Sequence, residues 1–458
     1  MLRKVLLLLA ITASSSLSIF SQNNDSAIVA KIFARAMASN DGYSDLKMLC
    51  EEAPGRLIGS EASETAIRII RKRMEEINHA QVYLQRFEAP AWEITKPASL
   101  RIVSGKKSIA LHIAPLGPSA ATPVNGIRTN VIEAASISDL LKIPPEKVKG
   151  KIVFLNTEMN DSLYFPSEAY GQAVKSRVYG ASNAAKMGAL AVIVRSMTHS
   201  IDTVPHTGSV VYDPEVKKIP ATAISTFDAD LLSKTLKKDP DTGVELNIFS
   251  EYYPKISTAN LIAEIPGNEF PNEVIIMAAQ LDTWYTSPGA HDDGAGCVQV
   301  IDALRAFSEL NIQNKRTIRV ICFMDEEMFQ SGGDAYAGVL ADNDEKIVFG
   351  MESDFGGFSP DGFRVDGSND IFNKISDYAK IMQPYDLNEV IKGWGGVDLH
   401  HAKQKKYFPT GSLKLNNQRY FDYVHSPHDS IDKINRRELH SGAAAITALI
   451  YMIDKYGL

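Results

Sequence analysis

Three near-continuous apolar runs in the second half of the chain, NEVIIMAA, TIRVICFM and KIVFGM, each stop at a cluster of carboxylates. Runs of this length, rich in β-branched residues, fit strands buried on both faces, as in parallel sheets covered by helices. The stretches VQVIDALRAFSEL and RRELHSGAAAITALIYMIDKY supply the matching helical patterns. The alternation predicts an α/β fold with a mixed, mostly parallel sheet sandwiched by helices. In such sheets the carboxyl ends of the strands lie along one edge, where ligands bind. QLD and AHDDGAG follow the first run, DEE the second and ESD the third. Asp282, Asp292, Asp293, Asp325, Glu326, Glu327, Glu352 and Asp354 are therefore expected to converge.

So many carboxylates together repel one another or protonate unless a cation sits among them. One acidic residue after a strand is commonly a helix cap or a solvated loop residue. Three clusters, each behind a buried strand, point instead to a dication, and a histidine donor would tilt the choice toward zinc. His425 and His428 in FDYVHSPHDSIDK are the first candidates and the pair His400 and His401 the next. Spacing alone does not rank them.

The remainder of the chain frames this cluster. A length of 458 residues exceeds one simple core. MLRKVLLLLAITASSSLSIFSQ has Arg3 and Lys4, a short apolar run and then small residues. It reads as a secretory signal peptide over 1–21, too short in its apolar part to span a bilayer. The expected location is secreted or periplasmic. PGRLIGSEASE reads as a loop before a helix capped by Ser60 or Ser63, with Ile67, Ile70, Met74 and Ile77 as its apolar stripe. Residues 108–254 are rich in Pro, Gly, Ser and Thr with short strands, and read as a compact inserted domain between 22–107 and 255–458. Cys50, Cys297 and Cys322 are too widely spaced for a disulfide framework or a zinc finger, and no bridge is expected. A formal charge of −7 without a Lys/Arg block argues against nucleic acid and against an anionic membrane as partners.

GSEASE, GAHDDGAGCVQ, FMDEE, ESDFGGF and QRYFDYVHS followed by DSIDKINRREL closely resemble the motifs of a zinc exopeptidase family. That family includes plasma glutamate carboxypeptidase (carboxypeptidase Q) and bacterial leucyl aminopeptidases. The similarity runs over nearly the whole mature chain, and the inserted β-rich segment looks like a protease-associated domain. The resemblance implies a zinc-peptidase fold with a two-zinc site. Asp292 matches the carboxylate that bridges the metals, Glu327 and His425 would hold the first ion, and Asp354 the second. Glu326 would be the general base and Asp282 the residue that orients a ligand. The substrate implied is a short peptide, and a homodimer is suggested by the family alone.

Gln280 departs from the pattern, which has histidine two residues before the aspartate. An amide oxygen is a neutral and weaker zinc ligand than imidazole. One tight zinc is therefore expected, with a second weak or absent, and Gln280 is free to donate a hydrogen bond to Asp282. The MFQSGG stretch after the glutamate pair also lacks a glycine common in the family. The leading reading is an exported exopeptidase, acting as aminopeptidase, carboxypeptidase or dipeptidase. Two alternatives follow from Gln280: a catalytically impaired peptide- or partner-binding homologue, and a single-zinc acyltransferase resembling glutaminyl cyclases.

Overall fold

The computed structural model describes residues 24–104 and 107–458, so the segment 1–21 that reads as a signal peptide lies outside the described residues. Its centre is the strand Phe270–Gln280, with Arg316–Phe323 and Lys346–Glu352 hydrogen-bonded parallel on either side. These are the three apolar runs, and their central residues are buried on both faces. The pleat sends Val274, Ile276 and Ala278 into a core with Phe323, Tyr336 and Leu399. It sends Ile275, Met277 and Ala279 into a larger core with Leu304, Ile446 and Ile450.

Thr410–Leu415 continues the parallel set beside Lys346–Glu352, so four strands present their carboxyl ends on one edge. Pro360–Asp366 and Glu389–Lys392 finish that side of a fourteen-stranded sheet. The helices Ala295–Glu309 and Arg436–Tyr456 pack on one face, and Ser331–Ala341 with Asp398–Lys405 on the other. The fold is the expected mixed, mostly parallel α/β sandwich.

Ser60 caps the helix Glu61–Glu75 by accepting from the Ser63 N–H, and Ala66, Ile67, Ile70 and Met74 form its buried stripe. The sheet then extends through a long antiparallel ribbon, Gln81–Ser104 against Gly243–Ile265. Sequence patterning breaks the first of these strands into two pieces, around VYLQRF and ASLRIVSG. The structure joins them by register shifts at Ala89/Ala91 and Lys96/Ser99, where Pro90 and Pro97 cannot donate to the ladder. The ribbon leads to Ile127–Ala134, Ile152–Leu155, Ala191–Arg195, Ala221–Ile224 and Ile113–Pro115. With the ribbon and the helix Pro166–Lys186 they build two further cores, one holding Phe154, Ile193 and Leu246 and the other Leu155, Ala181 and Val194. All three cysteines are free and buried. Among the described residues no helix is long and apolar enough to cross a membrane.

Candidate metal centre

At the carboxyl edge of the sheet, Asp292, Glu327 and His425 offer ligand atoms that all lie within 4.8 Å of one another. Three loops deliver them: one from the turn after Phe270–Gln280, one directly behind Arg316–Phe323, and one just ahead of the last helix. His425 Nε2 stands 3.1 Å from Asp292 Oδ2 and 3.6 Å from Glu327 Oε2. Its Nδ1 lies 3.2 Å from the Thr207 carbonyl, which can only accept. With its proton on Nδ1, the tautomer that the Thr207 carbonyl favours, the ring would leave Nε2 to hold an ion between itself and the two carboxylates.

Burial and the neighbouring negative charges raise the Glu327 carboxyl well above its ordinary range, burial being the larger cause. Burial likewise raises Glu326, Asp293 and Asp354, with nearby carboxylates adding to it. Glu327 Oε1 and Gln280 Oε1 are buried without a hydrogen-bond partner. A mixed N/O donor set, crowded acids and the orphaned Glu327 oxygen together fit a divalent ion of the zinc type. Asp354 sits at the margin of this group, where its Oδ1 accepts from Gln280 Nε2 at 3.3 Å.

Gln280 itself is placed differently from the expectation. Its amide does not reach Asp282; Nε2 donates to Asp292 Oδ1 at 2.8 Å and to Asp354 Oδ1. Asp282 has no need of it, because its oxygens accept from the backbone N–H groups of Asp325, Glu326 and Glu327 at 2.9, 3.1 and 3.4 Å. Burial lifts the Asp282 carboxyl to about 6 against the pull of those N–H groups. These bonds anchor the backbone of the glutamate pair, in which Glu326 is partly exposed and Glu327 buried.

Of the other histidine candidates, His428 is partly exposed opposite Asp202. His400 contacts Gln404, and His401 contacts Asp334 and Gln330. None of the three joins the cluster. His291 is buried, stacked on Phe358 at 4.2 Å.

Several supporting residues are invisible to pattern reading. Asp429 accepts from the backbone N–H groups of His291 and Asp292 at 2.6 and 3.0 Å, fixing the turn that carries Asp292. Arg56, fully buried, donates to the carbonyls of Leu281, Pro288 and Gly289 at 2.6, 2.7 and 2.9 Å. It thereby ties down the whole loop between Gln280 and Asp292. Arg56→Met keeps the stem but strands three buried acceptors, each worth about 1–3 kcal/mol when unpaired. Urea unfolding should show a loss of more than about 3 kcal/mol; a loss under about 1 kcal/mol would mean the loop holds without it.

A family model, peptidase family M28, matches residues 260–450. Carboxypeptidase Q of Xenopus laevis is 32% identical over 416 residues, 91% of this chain and 86% of that protein. A peptidase M28 precursor from Shewanella amazonensis superposes with a TM-score of 0.89 at 29% identity, covering 94% of this chain and 97% of that one. The fold is also shared with a zinc aminopeptidase from Bacillus subtilis, at a TM-score of 0.65 and 19% identity, over 90% and 93% of the two chains. The chain belongs to peptidase family M28.

Proposed function

We propose that the protein is an exported zinc-dependent exopeptidase that removes single residues from short peptides or cleaves dipeptides, holding one ion tightly. The observation that carries this reading is the convergence of Asp292, Glu327 and His425 Nε2, with Glu326 next to Glu327 in the chain. The zinc named for the Bacillus subtilis relative suits these donors. Zinc, when bound, supplies Lewis-acid polarisation of the scissile carbonyl and lowers the pKa of a water toward about 7.

The chain's own groups do the rest. Glu326 takes a proton from the attacking water and passes it to the leaving amine, the work of a general base that turns acid. Asp282 holds the Glu326 and Glu327 backbones in place, so the two adjacent side chains keep separate tasks. Trp284, fully buried 5.8 Å from the His425 ring, gives the site an apolar wall that limits water. Amino-acid release from a panel of unblocked dipeptides, with zinc supplied, tests the proposal. Release from some members supports it; silence across the whole panel would leave a peptide-binding homologue.

The ion count follows from Gln280. Its amide Nε2 donates to Asp292 Oδ1 and Asp354 Oδ1, the carboxylates that would hold a second ion, and would compete with that ion for them. Zinc content after dialysis should be one per chain. Gln280→His, which replaces the amide with a strong zinc donor, should raise it toward two. Two tightly held ions in the unaltered protein would refute this part of the proposal.

A further inference from the structure

The segment that supports His425 follows the strand Ala191–Arg195, in the half of the sheet beyond the long ribbon. Thr207, fully buried, donates its N–H to the His425 carbonyl at 3.0 Å, and its own carbonyl accepts from His425 Nδ1 at 3.2 Å. His206 Nδ1 contacts the Val424 carbonyl at 2.8 Å in the same manner. His425 has a φ of 62°, a left-handed conformation that a non-glycine residue keeps only where its surroundings hold it.

Behind Thr207 stands Arg177, 6% exposed, on the helix Pro166–Lys186. Its NH1 donates to the Thr207 carbonyl at 3.3 Å and its NH2 to the Tyr170 hydroxyl at 2.7 Å. Tyr170 in turn stacks on Phe421 at 4.3 Å. The guanidinium lies flat against Gly208, whose φ is +146° and where an added Cβ would come within 2.3 Å of Cζ. Arg177 NH1 also approaches His425 Nδ1 at 3.5 Å, longer than the 3.2 Å between Nδ1 and the Thr207 carbonyl. Among the described residues no carboxylate forms an ion pair with Arg177, so a desolvated cation is kept here for its hydrogen bonds.

We infer that Arg177 is a positioning residue for the metal: its guanidinium fixes the Thr207 carbonyl, which holds His425 Nδ1–H and so keeps Nε2 aimed at Asp292 and Glu327. The segment 170–208 is on this account part of the metal centre, and metal retention depends on it. The inference rests on the reading of His425 as a ligand. Outer partners of a metal-ligating histidine typically contribute 10–100-fold in metal affinity.

The test uses the whole mature protein, zinc as probe and a chromogenic chelator as competitor. Arg177→Gln should bind zinc about 10–100-fold more weakly, and Arg177→Lys, which keeps one donor toward Thr207, should recover part of that. The visible spectrum of the cobalt(II)-loaded Gln variant should shift, since ligand geometry at His425 changes. Hydrogen exchange at the Thr207 amide of the unaltered protein should slow when zinc is added, a readout that survives even if the Gln variant does not fold. Zinc affinity within about twofold of the unaltered protein, or a Thr207 amide indifferent to zinc, overturns the inference. Failure of the unaltered protein to bind zinc at all counts against the peptidase reading itself.

Discussion

Glu326→Gln retains its zinc and loses at least about 10²-fold in kcat on any dipeptide the enzyme cleaves. The substitution keeps size and shape, and the residue 326 N–H still donates to Asp282 Oδ1. What disappears is the ability to take up a proton and return it. The three residues proposed to hold the ion are untouched, so zinc content by elemental analysis should stay at the unaltered level. More than about a tenth of the original rate would transfer the acid–base role to another group; loss of zinc would make Glu326 a ligand.

Removing Asp292 should have the larger effect on the metal. Its Oδ2 faces His425 Nε2 at 3.1 Å, and its Oδ1 accepts from Gln280 Nε2 at 2.8 Å. Asp292→Ala leaves Glu327 and His425 with no third donor in the cluster. Zinc affinity should fall by more than the roughly 100-fold that outer partners of a metal site contribute, and hydrolysis should fall with it. The metal-free variant should be no less stable than the metal-free unaltered protein, because one member of a crowded set of carboxylates has gone. Chelator competition reads the first effect and thermal unfolding without metal the second. Retention of zinc within about tenfold would place the ion elsewhere, whereas marked destabilisation of the metal-free form would make Asp292 structural.

The parts of this molecule legible in its sequence are those governed by local pattern. Strands buried on both faces carry no polar periodicity, so NEVIIMAA, TIRVICFM and KIVFGM announce themselves, and the acids behind them mark the functional edge. The stripe Ile67, Ile70, Met74 shows for the same reason, as does the Ser60 cap. The long ribbon is obscured because prolines at 90 and 97 sit at its irregularities, where they imitate strand ends.

Contacts between distant segments are a different matter. Arg56 reaches Leu281 across 225 positions, and His425 reaches Thr207 across 218, so no local signal couples them. His425 could be separated from His400, His401 and His428 only once the loops were placed in space. Gln280 stood out in the sequence as a departure from a resembled pattern. Its true partners did not, because Asp282 is satisfied by backbone N–H groups that pattern reading does not count.

The most direct test of the account is to titrate zinc into the metal-free protein while following amino-acid release from a cleavable dipeptide. On the proposal that Asp292, Glu327 and His425 hold a single ion, activity should rise linearly and level off at one equivalent per chain. Turnover that begins only beyond the first equivalent, or none at any zinc concentration, would contradict it.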